Sequence, residues 1–187
     1  MLILVFSFYI VYGFYENGRS FKNFANLLSH SGKLVTDFTV TEGFPMVMIN
    51  MGILGFISLS LIFLMFPYIN GPILSGLLTL IGFSGFGKHL KNVLPIIAGV
   101  SLSYIMFGRN ISLTSFAITL FFSTCLAPIS GKFGIIPGII VGFINFCLVL
   151  NMGALHGGLN LYNTGLSAGI VASVSVPMLQ LFYGGKK

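Results

Sequence analysis

The sequence predicts an all-α integral membrane protein with about five to seven apolar segments, including one or two re-entrant or broken helices. Hydrophobic residues make up 56% of the 187 residues and charged residues only 6%, and the mean hydropathy is +1.01. A typical soluble chain carries roughly 25% charged residues, which help to cover its surface. This composition excludes an ordinary soluble domain, and it equally excludes a disordered chain, a coiled coil and a disulfide scaffold.

The few charged residues leave long apolar stretches between them. All three acids, Glu16, Asp37 and Glu42, lie in the first quarter of the chain. The later cations stand in short gaps between stretches that lack Asp, Glu, Lys and Arg. A bilayer core needs about 20 apolar residues per helix, so these stretches predict several membrane spans. Scattered cations between spans indicate loop anchors at a lipid surface, and we expect no nucleic-acid partner.

Three parts follow one another along the chain. Residues 1–15 form an apolar segment that is short for a span and lacks the basic start of a signal peptide, so we interpret it as the tail of a truncated span. Residues 16–42 form a polar interfacial connection, with a short amphipathic helix expected around Phe21–Leu28. Residues 43–187 form the polytopic membrane domain.

Six apolar segments divide the membrane domain. In chain order they are Phe44–Phe66, Gly71–Phe86, Val93–Phe107, Ile111–Ala127, Gly134–Leu150 and Leu161–Tyr183. We expect Pro67 and Pro128 to end the first and fourth segments, and Pro177 to kink or break the sixth. The second segment is short for a crossing and ends in a glycine-rich stretch, which favours a re-entrant or broken helix without deciding whether it spans.

The lysines predict an orientation for these segments. If segments three to six each cross once, five lysines share one face, while Arg109 and His156 lie on the other. The five are Lys88, Lys91, Lys132, Lys186 and Lys187. The positive-inside rule then places the lysine face and the C-terminus in the cytoplasm, and we expect a bacterial cytoplasmic membrane.

Two polar stretches that open small-residue helices predict a substrate path. Asn70 lies six residues before Gly76, and Asn163 lies six before Gly169, which predicts a degenerate inverted repeat. Uncharged amides offer both hydrogen-bond donors and acceptors to a small polar solute. Asn145 is an amide within a span, so we expect it to face protein or a pore. The predicted path residues are Asn70, Ser75, Thr79, Asn145, His156, Asn160 and Asn163.

The same residues have plainer interpretations. The loop 151–165 also suits an interfacial turn whose amides cap helices, and the small residues of segment two suit close helix packing. No carboxylate pair follows Glu42, and no HExxH, GxSxG or phosphate-loop motif is present, so we expect no enzymatic activity and no cofactor. Cys125 and Cys147 lack CxxC neighbours and are expected to be small apolar residues.

Several strings resemble a family of bacterial multi-pass membrane proteins catalogued as a domain of unknown function. They are Lys33–Phe38, Gly82–His89 with Asn92–Pro95, Ala127–Gly131 and His156–Asn163. The resemblance runs from about Ser31 to the C-terminal region. It implies that the chain corresponds to the C-terminal half of a longer protein, so a second copy or a second half-length chain would complete a pore. Segments two and six are also similar in architecture to urea-channel proteins.

The sequence therefore predicts a membrane channel or transporter for a small polar solute, working as an oligomer in the bilayer. A proton-coupled carrier usually needs an acid or a histidine within the membrane, and after residue 43 only His89 and His156 could serve. Both lie at segment ends, which favours passive permeation over proton coupling. One alternative is a non-transporting assembly protein whose glycine-rich helices pack tightly. Another is the membrane subunit of an electron-transfer complex, with Cys125 and Cys147 as ligands.

Overall fold

A computed structural model describes residues 1–33, 35–108, 110–152 and 160–183, and for residues 160–162 it describes the backbone alone. These parts form helices and contain no strand. The helices are α1 (Leu2–Glu16), α2 (Phe24–Leu27), α3 (Phe38–Thr41), α4 (Phe44–Met65), α5 (Gly71–Gly82), α6 (Leu90–Phe107), α7 (Leu113–Phe122), α8 (Ala127–Phe133), α9 (Ile135–Met152) and α10 (Asn160–Tyr183). Short 3₁₀ turns follow α5 at Phe83–Gly85 and join α7 to α8 at Ser123–Leu126.

Among the described residues, five helical stretches are long and apolar enough to cross a membrane. They are Phe44–Met65, Leu90–Phe107, Leu113–Phe133, Ile135–Met152 and Asn163–Tyr183. Helix α1 and the stretch Gly71–Gly85 are apolar but shorter. The predicted fold class is confirmed, and the chain is a membrane-spanning helical protein.

Two prolines act differently from the expectation. Pro128 does not end the fourth segment, because it lies in the first turn of α8, where its missing N–H costs no helical hydrogen bond. One apolar stretch therefore runs from Leu113 to Phe133. Helix α10 continues without a break through Pro177. Pro67, in contrast, follows the end of α4 as expected.

Two compact units make up the chain, Met1–Leu90 and Lys91–Lys187. The first unit contains α1–α5 with the polar connection, and the second is built from α6–α10. Within the range Phe21–Leu28, where an amphipathic helix is expected, the structure has one helical turn, α2. The division of the chain at residues 15 and 42 stays a prediction.

In the first unit, α1 packs antiparallel against α4 at three glycines. A Cβ atom on Gly13 would lie 2.5 Å from the carbonyl oxygen of Pro45, and one on Gly52 would lie 2.8 Å from that of Phe6. The Phe6 ring covers Gly55 and is buried. The glycines allow the two backbones to approach more closely than any side chain would permit.

In the second unit, α6 and α9 cross in the same way. A Cβ on Gly142 would lie 2.5 Å from the carbonyl oxygen of Ile96, and one on Gly99 would overlap the carbonyl of Ile139. Because low-numbered residues of α6 meet low-numbered residues of α9, these helices run parallel. This order fits a bundle in which successive spans alternate in direction.

One end of the second unit collects the start of α6, the end of α8 and the start of α9. A Cβ on Gly138 would lie 2.6 Å from Ser130 Oγ and 2.8 Å from Pro95 Cβ. Lys91 is in the first turn of α6 and Lys132 in the last turn of α8. The two lysines therefore lie toward the same end of this unit.

Candidate functional site

A hydrogen-bonded set of polar side chains crosses the interior of the second unit. Its centre is Asn145 of α9, which is 0% exposed. Asn145 Nδ2 donates to Ser123 Oγ at 2.7 Å, and Asn145 Oδ1 accepts from Ser167 Oγ at 2.7 Å. Because Ser123 lies between α7 and α8 and Ser167 on α10, one amide joins three helical stretches. Its orientation toward protein fits the cost of exposing an amide to lipid.

One turn before Ser167, α10 carries a second buried amide. Asn163 is 2% exposed, and its Oδ1 has no hydrogen-bond partner among the described residues. The next residue, Thr164, is also buried, and its carbonyl oxygen lies 3.0 Å from Ser167 Oγ. Leaving a buried acceptor unpaired costs about 1–3 kcal/mol. The Asn163 oxygen is therefore the atom of this site that is available to a hydrogen-bond donor.

Three of the predicted path residues lie on α5 or directly before it, in the first unit. Asn70 caps this helix, because its side-chain oxygen accepts from the Ile73 N–H at 3.1 Å. The Thr79 hydroxyl donates to the Ser75 carbonyl oxygen at 2.8 Å, and the Ser75 side chain is exposed. The structure thus gives Asn70 and Thr79 local roles in their own helix. Their predicted part in a solute path stays a prediction.

The other predicted residues fall differently. Asn145 bonds to Ser167 of α10, and Asn163 lies one turn before Ser167 on the same helix. His156 and the Asn160 side chain lie outside the described residues. Asn70 precedes its helix as the cap, but Asn163 lies inside α10, which begins at Asn160. The two asparagines of the predicted repeat therefore occupy different helical positions.

Sequence reasoning missed Asn50, a 0% exposed amide of α4. Its Nδ2 donates to the carbonyl oxygens of Ser84 and Lys88, each at 2.8 Å. Gly87, in the glycine-rich stretch Gly82–Gly87, has φ +98°. A Cβ there would lie 2.9 Å from the Cα of Gly32. Asn50 thus fastens the backbone of the glycine-rich stretch to α4. The signal that identified Asn145, a lone amide within an apolar segment, was present here too.

The polar connection is tied to the end of the glycine-rich stretch through His89, and its own polar side chains bond to one another. His30 Nε2 lies 2.6 Å from Glu42 Oε1, and the buried His89 ring donates from Nε2 to the His30 carbonyl oxygen at 2.9 Å. The hydroxyl and then the N–H of Thr39 donate to Asp37, and they hold the pKa of this carboxyl below its ordinary value of 3.8.

The two cysteines occupy separate environments. Cys147 Sγ lies 3.2 Å from Ser103 Oγ, and Cys125 is exposed. Within the described ranges, no three His, Cys, Asp or Glu side chains gather in a group suited to a metal ion. The predicted electron-transfer role of these cysteines therefore rests on the sequence alone.

A family model described as a protein of unknown function (DUF1576) matches residues 16–181. The matched range begins at the end of α1 and reaches the last turn of α10. No curated protein and no solved structure matches the chain. The architectural likeness to urea-channel proteins therefore stays a prediction.

Proposed function

The chain belongs to the DUF1576 family, and we propose that it is a membrane channel or transporter for a small polar solute, working as an oligomer. The observation that carries this proposal is the amide oxygen of Asn163, which is buried in a membrane span and has no donor among the described residues. An apolar residue would be less costly at that position if nothing polar ever reached it.

The chemistry of the polar side chains in the second unit restricts the class of solute that could bind there. An amide oxygen accepts hydrogen bonds only, so the solute must carry an N–H or O–H group. No carboxylate side chain follows Glu42, so the site holds no acid to balance a bound cation. A full charge brought there would lose its hydration without compensation. The favoured class is therefore a neutral, donor-bearing solute such as a small amide or polyol.

A vesicle flux assay tests the role of Asn163. We expect the wild-type chain in proteoliposomes to pass urea or acetamide faster than protein-free vesicles do. Asn163→Leu should lower that flux about tenfold, the factor for about 1.4 kcal/mol, which is the order of one hydrogen bond. Asn151→Leu is the matched control, because Asn151 is an exposed amide that donates to the Cys147 carbonyl at 2.9 Å. Equal flux in both variants would contradict the role of Asn163.

Helix α10 supports the oligomeric part of the proposal. Only 17% of its span is buried, against 39–61% for the other four spans found in the described residues. Gly165 and Gly169 are exposed on it, one turn apart, with open space beside each Cα. Small residues at this spacing are typical of helix–helix interfaces in bilayers.

Crosslinking in vesicles tests this interface. Gly169→Leu should shift the chain toward monomer, whereas Gly71→Leu, at another exposed glycine with open space, should not.

The exposed glycine face of α10 also favours the second candidate, a non-transporting membrane assembly protein. That candidate predicts an oligomer that passes urea and acetamide no faster than protein-free vesicles.

A further inference from the structure

An apolar groove of about 170 Å³ opens between the first half of α9 and the last half of α10. Its lining includes Pro137, Ile140 and Ile144 of α9 with Met178 and Phe182 of α10. Both helices lie in membrane spans. Ile140 and Met178 are about half exposed, and Phe182 is mostly exposed. The groove therefore faces the hydrocarbon of the bilayer and is shaped by side chains on two helices.

A cation lies at one end of this groove. Lys132 is exposed in the last turn of α8, with its Nζ 4.7 Å from the centroid of the Phe133 ring. That ring packs 6.0 Å from the ring of Tyr183, the residue next to Phe182 in the groove wall. Helix α9 begins at Ile135, so its positive dipole end lies beside the lysine.

We propose that the groove binds an anionic phospholipid of the surrounding leaflet. The acyl chain lies along Ile140, Ile144 and Met178, and the headgroup phosphate lies at Lys132 and the N-terminus of α9. The apolar lining matches a hydrocarbon chain, and the positive charge at the groove end complements an anionic headgroup. Phosphatidylcholine can carry the same acyl chains but has no net charge. The lysine is therefore the group that makes the groove prefer an anionic phospholipid over phosphatidylcholine. This site is independent of the proposed transport function.

Native mass spectrometry of the full chain in detergent tests the proposal, with phosphatidylglycerol and phosphatidylcholine as the two probes. We expect phosphatidylglycerol to bind more tightly. Lys132→Gln should remove most of that preference, about fivefold, which is the factor for one lysine near an anionic surface. Lys91→Gln is the matched control, because Lys91 is exposed toward the same end of the unit and should retain the preference.

A second variant tests the acyl-chain part. Ile140→Trp should fill the groove and weaken binding of both lipids, whereas Ile170→Trp, on α10 outside the groove lining, should bind both as wild type does. If Ile140→Trp fails to fold, the lysine pair decides alone. Equal binding of the two lipids to wild type overturns the proposal, as does an equal loss in both lysine variants. If Ile140→Trp instead dissociates an oligomer, the groove holds a second copy and the lipid assignment is wrong.

Discussion

Asn145 and Asn50 are buried amides in different units, and each replaces what would otherwise be an apolar side chain in a span. Asn145 joins two hydroxyls on neighbouring helical stretches, while Asn50 holds two backbone carbonyls of the glycine-rich stretch. Hydroxyl partners can rotate to another acceptor, but backbone carbonyls outside a helix have few substitutes. Removing Asn145 should therefore lower the stability of the helix packing, whereas removing Asn50 should loosen the glycine-rich stretch locally.

For Asn145→Ala we expect a loss of about 1–3 kcal/mol of stability, because two hydrogen bonds disappear and the side-chain volume is left empty. Thermal unfolding in detergent should show the lowered midpoint. Asn151→Ala, at an exposed amide of the same helix, should leave the midpoint nearly unchanged. Identical midpoints in the two variants would mean that the buried set contributes nothing to stability.

For Asn50→Ala we expect local loosening rather than global unfolding. The turn that follows α5 is held by the bonds of the Phe86 and Lys88 N–H groups to the Phe83 carbonyl, at 3.0 and 3.4 Å. Without the Asn50 amide this turn loses two hydrogen bonds to α4. Hydrogen exchange at residues 83–89 should accelerate, while exchange in α9 stays as in wild type. Unchanged exchange at 83–89 would refute the fastening role.

The Asp37 cap predicts a pH dependence. Because the folded pKa of this carboxyl is lowered, its contribution to stability is complete above 3.8 and is lost as the pH falls through the lowered value. Asp37→Asn should therefore unfold more easily than wild type at neutral pH and match it at strongly acidic pH. Thr39→Val, which removes a donor to Asp37, should change stability in the same direction. A difference that persists unchanged in acid would contradict this assignment.

At the scale of elements, replacing a glycine by alanine should have opposite effects on stability at packed and at open positions. Gly99→Ala should destabilise the second unit by about 1–3 kcal/mol, because its Cβ would meet the backbone of α9. Gly169 has open space beside its Cα within one chain, so in a detergent-solubilised monomer Gly169→Ala should stabilise α10 by about 0.5–1 kcal/mol through helix propensity. Thermal unfolding of the two variants should give midpoint shifts of opposite sign. A Gly99→Ala midpoint no lower than that of wild type would show that α6 and α9 do not cross at Gly99.

The helices themselves were largely predictable, because apolar runs and breaker residues report on local structure. Pro128 was misjudged since the sequence does not show that a 3₁₀ turn precedes it and places it in a first helical turn. Asn145 was predictable from its position within a span. Ser123 and Ser167 were not, because a hydroxyl is usually satisfied by its own helix, as that of Thr79 is. Which hydroxyl meets a distant amide depends on helix packing.

At the scale of the whole molecule, the predicted orientation places the lysine end of the second unit in the cytoplasm. With Cys125 and Cys147 replaced by Ser, Lys132→Cys should react with a membrane-impermeant thiol reagent only after cells are permeabilised. Ser112→Cys, at the exposed start of α7, should react in intact cells because the stretch from Leu113 to Phe133 crosses the bilayer. The reverse pattern would invert the orientation.

The 3₁₀ turn at Ser123–Leu126 changes the angular phase of the span that contains it. Side chains advance by about 120° per residue in such a turn, against about 100° in an α-helix, so four residues rotate the following helix by about 80°. This rotation brings Ser130 beneath α9 and Phe133 against Tyr183. A helical wheel drawn with one period from Leu113 to Phe133 would therefore turn the wrong residues toward lipid beyond Leu126, and the assignment has to restart at Ala127.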